Sequence, residues 1–467
     1  MTRAVFAALG LLLAGALPAS AQNPQDPQEG RLRAEFRLEG EDLKGSCGSL
    51  KSITSCATTL VTDHPFHIAL GSIAPQNGFG FGPALVTHYT PSETWRNQWS
   101  SDAVFAPGGA WRAGSYFKGI HTDVDIPQPV PSGTARGPLI RITEYPIYSA
   151  YVQGISLPKV LFYGLGDGTS VSDKTAYGIT ETIVGGGATL PFPRFLPALK
   201  LSAVLDANGR IFDIRSGKDE PDISSKFDES TAPGLTTQPA FAQFGEAIRV
   251  RPSFVNDRIQ LGYLFQYQQF VAPQSDYSFN RWTIDLNHEV PIYHTHGPSL
   301  RRESNGPNEC FASPTDHRCP STTRDRWGTA SFRLLASKSQ VGDAGAVPFY
   351  LQRTLGGSDI DGNRALASYD DYRFRGPHLL LMQETLEHAI WGPFGFLLQG
   401  EHGKVAAQNQ SLDFKSLHNT FTIGATLRAG GFPYVNASWS TGGPEGHHFI
   451  LTMDASLLGS GGRPPLQ

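Results

Sequence analysis

The chain has 467 residues with 17% charged and 11% aromatic side chains, a formal net charge of −4 and a mean hydropathy of −0.24. A weakly acidic chain of pI 6.4 argues against a nucleic-acid-binding protein, which would carry a basic excess. Beyond the N-terminal segment, no apolar run approaches the roughly 20 residues that a membrane-spanning helix requires.

The N-terminal segment has the pattern of an export signal. Arg3 gives a positive start, residues 4–17 are apolar, and Ala19-Ser20-Ala21 supplies small residues for cleavage. The sequence therefore predicts a signal peptide over residues 1–21. The alternative is an inner-membrane anchor, which the short apolar run disfavours.

Four cysteines follow in two pairs with equal short spacing, Cys47 with Cys56 and Cys310 with Cys319. In an oxidising compartment, two local disulfides are the favoured interpretation, with free thiols or a metal site as alternatives. The first pair lies in a polar periplasmic leader predicted over residues 22–62.

The rest of the chain repeats with period two, which is typical of β-strands. Apolar residues alternate with polar ones over five clear segments: 258–268, 281–290, 420–428, 434–440 and 449–457. About eleven such segments precede Leu355 and about five follow it. Because strands that alternate in this way cancel in a hydropathy average, a membrane β-barrel fits a mean hydropathy below zero.

These segments predict an all-β fold: a closed transmembrane antiparallel β-barrel of about 16 strands over residues 63–458, with a tail at 459–467. A soluble β-sandwich also alternates, but it would not need so many strands. Long connections at 167–175, 216–237, 342–375 and 406–416 suit extracellular loops, and tight ones at 391–393 and 429–431 suit periplasmic turns. The stretch 294–326 is long where a short turn is expected, so it is an elaborated turn or marks a miscounted strand.

Between Leu355 and Lys404 the chain resembles the bacterial surface antigen family of outer-membrane barrels, which includes BamA, TamA and the FhaC-type transporters. The resemblance rests on Leu355-Gly356-Gly357-Ser358-Asp359, Tyr372-Arg373-Phe374-Arg375 and Gly403-Lys404-Val405. Weaker matches occur at 162–166 and 232–239. The resemblance implies that the sixth extracellular loop folds back into the lumen.

In that family an Arg-Gly-aromatic motif on this loop meets an acidic residue within an (aromatic or Gly)-x-Asp-x-Gly motif on the thirteenth strand. Here Ala367 and Ser368 stand where arginine and glycine would be, while Tyr369 keeps the aromatic position. Glu401 stands in the acidic position two residues before Gly403. Parity along the strand predicts that Glu401 points inward.

A buried carboxylate needs a partner, because a stranded charge is costly. The hypothesis is that Glu401 takes its cation from Arg364, Arg373 or Arg375, and the alternative is that these arginines lie in solvent at the mouth of the barrel. The candidate loop residues are Gly356, Gly357, Arg364, Tyr369, Arg373, Arg375, Glu401 and Gly403.

The resemblance implies membrane-protein assembly or polypeptide translocation in the bacterial outer membrane, in contact with lipid and lipopolysaccharide. Residues 22–62 are too short for a POTRA module, so a separate periplasmic POTRA-type or chaperone protein is an expected partner. The competing interpretations are a passive pore or structural surface protein, and an outer-membrane enzyme. No nucleophile elbow, zinc helix or phosphate loop occurs, so neither an enzyme nor a cofactor is expected.

Overall fold

The structure is a computed structural model that describes residues 66–92, 94–122, 145–192, 199–254, 259–295, 326–391, 394–407, 412–429, 432–443 and 445–453. The chain divides into two compact units, residues 1–67 and 68–467, and the second unit contains the sheet. The four cysteines, the predicted signal peptide, the leader over 22–62 and the tail at 459–467 lie outside the described residues. No helix among the described residues is long and apolar enough to span a membrane.

The second unit is built from one antiparallel sheet and a two-stranded ribbon. The strands are β1 (Phe66–Ser72), β2 (Phe79–Ser92), β3 (Trp95–Phe105), β4 (Trp111–His121), β5 (Ile147–Phe162), β6 (Thr175–Pro191), β7 (Leu201–Ser216), β8 (Phe241–Val250), β9 (Ser253–Phe254), β10 (Ile259–Val271), β11 (Phe279–Thr295), β12 (Arg326–Val341), β13 (Arg353–Leu355), β14 (Phe374–Gly376), β15 (His378–Trp391), β16 (Phe394–Ala406), β17 (His418–Ala429), β18 (Phe432–Thr441) and β19 (His447–Met453). Strands β13 and β14 form the ribbon, and the other 17 form the sheet.

The sheet contains sixteen strand positions, because β9 continues β8 along the same partner. Both β8 and β9 pair with β10, and the other strand pairs with a defined register join strands that follow each other along the chain within the sheet. The predicted strand number and the predicted segments 258–268, 281–290, 420–428 and 434–440 are thus confirmed. The segment 449–457 is confirmed as far as Met453, where the described residues of β19 end.

The connections alternate between the two ends of the sheet. The four predicted long connections all lie at the same end, which is called the upper end, and the tight turns at 391–393 and 429–431 lie at the lower end. Strands β11 and β12 pair directly, so the long stretch between them begins and ends at the lower end. Its residues 296–325 are outside the described part.

The faces of the sheet are inverted relative to a soluble protein. Apolar side chains point outward and are exposed, including Ile211 at 61%, Phe244 at 50% and Trp282 at 51%. Polar and charged side chains point inward and are buried, including Glu181, Arg210, Gln243, Gln268, Arg281, Thr422 and Ser440. A sandwich with a dry middle would show the opposite arrangement, so this pattern excludes it.

The connection between β12 and β15, residues 342–377, runs inside the curled sheet and is here named the lumen loop. Tyr372 Oη donates to the Pro75 carbonyl in the turn after β1 at 3.1 Å, and Arg373 binds Glu445 in the turn before β19 at 2.7 Å. One loop thus contacts the turns that belong to the first two and the last two strands. The sheet therefore curls round the loop as a barrel.

An apolar core joins the lumen loop to the upper wall. Phe349 of the loop meets Phe162 of β5 and Tyr177 of β6 edge to face, with ring centroids 5.3 and 4.9 Å apart. Tyr350 packs on Phe212 of β7 at 4.8 Å. Because buried aromatic pairs add to the free energy gained from their buried area, this cluster holds the start of the loop against the wall.

Candidate functional site: the lumen loop

Two glycines make the turn after β13 possible. Gly356 has φ +104° and Gly357 has φ +55°, both in the left-handed region that glycine tolerates best. A Cβ on Gly356 would lie 2.5 Å from the Cβ of Arg373, and one on Gly357 would lie 2.5 Å from Oδ1 of Asp371. These two positions therefore let the two arms of the loop approach each other closely.

The two arms pair as the short ribbon of β13 and β14. Arg353 pairs with Gly376, Thr354 with Arg375, and Leu355 with Phe374. The ribbon fixes the directions of the side chains in the segment Tyr372–Arg375, which leads into β14. As a result, neighbouring residues of that segment contact different parts of the wall.

Arg373 is 2% exposed and ties the lumen loop to two upper turns. Its Nε and Nη2 donate to the two carboxylate oxygens of Glu445, both at 2.7 Å. Nη1 and Nη2 donate to Oγ1 and the carbonyl of Thr169, both at 2.6 Å. The guanidinium also lies over the rings of Tyr163 and Phe374 at 4.9 and 4.7 Å. A planar guanidinium suits this forked contact, which a lysine could not make.

Arg375 is 1% exposed and turns toward β5 and β6. Its Nη1 donates to the carbonyl of Phe349 at 2.9 Å, and its guanidinium lies within 6.0 Å of the ring centres of Phe162, Tyr177 and Phe349. The carbonyl of Arg375 accepts from the backbone N–H of Gly166 at 2.7 Å. The side chain therefore closes the loop on itself, while the backbone fastens it to the β5–β6 connection.

Glu401 points inward from β16 and is fully buried. Its Oε2 accepts from the backbone N–H of Ala367 at 2.8 Å, and its Oε1 accepts from the Gln383 amide at 2.8 Å. Within the described residues Glu401 makes no ion pair with an arginine. Glu401 is thus bound by two neutral donors and not by the guanidinium that the sequence predicted.

The three candidate arginines reach other groups. Arg364 is the one whose charge acts on Glu401, but its two terminal nitrogens donate to Oγ of Ser438 at 3.2 Å. Burial lowers the pKa of Arg364, and the carboxylate of Glu401 opposes that shift. Gln383 joins the two residues, because its amide donates to Glu401 and to the carbonyl of Arg364 at 3.1 Å.

Ser368 and Tyr369, which follow Ala367, also hold this part of the loop against the wall. Ser368 lies 2.7 Å from Oγ1 of Thr420 and donates to the carbonyl of Gly442 at 3.2 Å. The ring of Tyr369 lies 5.4 Å from the ring of His418, and its hydroxyl is 3.4 Å from Nδ1 of that histidine. Ser368 thus makes contacts that a glycine could not.

Gly403 stands where Leu355 of the loop packs close to β16. A Cβ there would lie 3.0 Å from the carbonyl of Leu380 and 3.2 Å from Cδ1 of Leu355. The structure thus brings all eight candidate residues to the lumen loop or the wall beside it. They form separate contacts rather than one cluster.

Several contacts of the loop were not identified from the sequence. Tyr163 Oη donates to Asp370 at 2.7 Å, and Gln76 donates to Asp371 at 2.7 Å. The partners come from upper turns far away in the chain, and Glu445 lies in a Gly-rich turn without strand periodicity. The weak match at 162–166 was the only signal that pointed to any of them.

No protein-family model matches the chain, and no curated protein matches it. Among solved structures, it is similar to BamA from Haemophilus ducreyi lacking POTRA domains 1-3, with 10% identity and a TM-score of 0.46 over 83% of this chain and 68% of that chain. It is also similar to CdiB from Acinetobacter baumannii, with 10% identity and a TM-score of 0.46 over 83% of this chain and 59% of that chain. CdiB from Escherichia coli gives 11% identity and a TM-score of 0.48 over 84% and 61%. The chain thus spans about three fifths of the two CdiB chains.

Proposed function

We propose that this chain is an outer-membrane β-barrel that takes part in outer-membrane protein assembly or polypeptide translocation, and that the lumen loop closes it at rest. The observation that carries the proposal is the lumen loop itself, which is buried and bonded to turns at both ends of the strand order. A loop held on several sides blocks passage until those contacts break. Such a loop acts as a gate.

The proposed location in the outer membrane follows from the inverted faces of the sheet. Hydrocarbon offers no hydrogen-bond partners, so a chain that spans a membrane without a long apolar helix must pair its backbone groups between strands. Exposed outward residues such as Phe265, Ile423 and Phe449 suit contact with lipid and lipopolysaccharide. An expected consequence is partition of the purified protein into detergent micelles.

The resemblance of residues 355–404 to the surface antigen family supports the assembly or translocation role. A separate periplasmic protein of the POTRA or chaperone type is the proposed partner that would deliver client chains. The proposed action is conformational and does not form or break covalent bonds. Among the described residues, no group of three or more His, Cys, Asp or Glu side chains is placed to hold a metal ion.

Planar-bilayer conductance of the purified protein tests the gate. The wild type should stay closed for most of the recording, and deletion of residues 357–369 should give a steady open current. A steady open current in the wild type would instead identify a passive pore. Absence of current after the deletion would show that the lumen loop is not what closes the barrel.

A second measurement tests the assembly role separately. Liposomes that contain the chain should accelerate the folding of an unfolded outer-membrane protein over liposomes that contain an unrelated porin at equal density. Equal folding rates in the two preparations would remove the assembly role and leave only the gated channel.

A further inference from the structure

Among the described residues of the inner wall, Arg281 is a buried arginine without an acidic partner. Arg281 of β11 is fully buried, and within the described residues no carboxylate contacts it. Its Nε donates to Oγ of Ser339 at 3.2 Å, and its Nη2 donates to the carbonyl of Leu351 in the lumen loop. Its Nη1 is buried and has no hydrogen-bond partner. Because a guanidinium stays protonated in proteins, this is a positive charge enclosed with one donor nitrogen left over.

The surroundings do not offset the charge of Arg281. The rings of Phe270 and Phe279 lie on it, with centroids 5.3 Å away, and they supply only a weak attraction. The charged groups that act on Arg281 are Arg353 and Arg210, which repel it. Arg210 has a carboxylate of its own in Glu181, at 3.0 Å. Burying a charge without a counter-charge costs several kcal/mol, so an anion at Nη1 would be strongly favoured.

Two glutamines on the wall can complete such a site. Gln268 faces Arg281 in the strand register, and Gln243 is the register partner of Phe270, one of the two rings on the guanidinium. Both are nearly fully buried, and Oε1 of each has no hydrogen-bond partner. Rotating an amide by 180° exchanges its oxygen for its NH₂, so either glutamine can present donors instead of an acceptor.

We propose that Arg281, Gln268 and Gln243 form a buried site for a small monovalent inorganic anion such as chloride. The site lies between the inner wall and the first arm of the lumen loop. The same guanidinium holds the Leu351 carbonyl, so the bound anion stabilises the seat of the loop. The enclosure of Arg281 favours a halide over a larger organic anion.

Unfolding of the purified protein in detergent tests the site without reference to transport. Sodium chloride is replaced stepwise by sodium gluconate at constant ionic strength. The midpoint of thermal unfolding of the wild type should rise with chloride and then saturate. The Arg281→Met variant should lose that rise, whereas Arg112→Met should keep it, because Arg112 is a buried wall arginine with its own carboxylate in Asp102 at 3.3 Å.

Equal wild-type midpoints in chloride and gluconate would overturn the proposal, as would an Arg281→Met variant that responds to chloride as the wild type does. If that variant does not fold, a wild-type crystal soaked in sodium bromide decides the matter. Anomalous density in contact with Nη1 of Arg281 supports the site. Bromide density only at other positions refutes it.

Discussion

Replacing Arg373 with methionine tests whether the lumen loop acts as a gate. The substitution keeps an apolar stem of similar length and removes the guanidinium. Four hydrogen bonds are lost, two to the carboxylate of Glu445 and two to Thr169, together with the contacts to the Tyr163 and Phe374 rings. All of these contacts except the one to Phe374 join the loop to the upper part of the barrel, so the loss falls on the closed state.

The size of the effect follows from the burial of the pair. Removing one partner of a buried ion pair costs about 3 to 5 kcal/mol, because the other charge is left without compensation. The side chain of Glu445 is 18% exposed and can regain some hydration, so the lower end of the range applies. A cost of about 3 kcal/mol, at roughly 1.4 kcal/mol per tenfold change, raises the open fraction about a hundredfold. Glu445→Gln leaves the guanidinium of Arg373, which is 2% exposed, without a counter-charge, so it should raise the open fraction at least as much.

Single-channel recording gives the open fraction of each variant. Arg112→Met is the matched control, because it removes a buried wall arginine that pairs with Asp102, also on the wall, at 3.3 Å. Arg373→Met and Glu445→Gln should both raise the open fraction, and Arg112→Met should stay close to the wild type. If Arg112→Met opens the channel as much as Arg373→Met does, loss of wall stability explains the current and the gate is refuted.

Three further predictions concern single sites. Gly356 has φ +104°, and a Cβ there would lie 2.5 Å from that of Arg373. Gly356→Ala should therefore lower the unfolding free energy by about 1 to 3 kcal/mol in denaturant titration. Gly108→Ala is the control and should leave that free energy unchanged, because nothing lies within 4 Å of a Cβ at Gly108. Glu401→Gln places an amide NH₂ against one of the two donors and should cost about 1 to 3 kcal/mol in the same titration; an unchanged midpoint would contradict the role given to Glu401. Hydrogen bonds from Ser230 and Thr231 lower the pKa of Asp228 to about 2. The stability that this carboxylate gives its turn is therefore present above the ordinary pKa of an aspartate and is lost as the pH falls toward 2. An NMR titration midpoint near 4 for Asp228 would contradict this.

The sequence was sufficient for the wall of the barrel because strand periodicity is a local property. Each strand has side chains that alternate between two faces, and this alternation can be recognised at 258–268 or 420–428 without knowing which strands lie beside them. Counting such segments gave sixteen positions, which the structure confirms. The bulge between Leu157 and Val160 was not predicted, because it depends on the register with β6.

The contacts of the lumen loop were less accessible from the sequence because they are not local. Parity placed Glu401 inside the barrel, but its partners depend on where an irregular loop of over thirty residues passes. Arg373 reaches Thr169, which is 204 positions away, and Glu445, which is 72 positions away. Nothing in the periodicity of either turn marks them as partners. The resemblance implied an arginine as the partner of Glu401, whereas one of its actual partners is the backbone N–H of Ala367.

The contact at Glu401 shows how the loop is held against β16 without an arginine at position 367. With alanine at position 367, no long side chain extends from that position toward Glu401, and the backbone N–H of Ala367 donates to the carboxylate instead. A glutamate is one methylene longer than an aspartate, and it spans the remaining gap to reach that N–H at 2.8 Å. Gln383 supplies the second donor, so each carboxylate oxygen has a hydrogen bond. The ion pair that fastens the loop is formed instead by Arg373 and Glu445, at the upper turns, where Glu445 keeps partial access to water. Because water offsets part of the cost of breaking that pair, we expect the upper contact to open first in the proposed gate and the buried contact at Glu401 to stay closed.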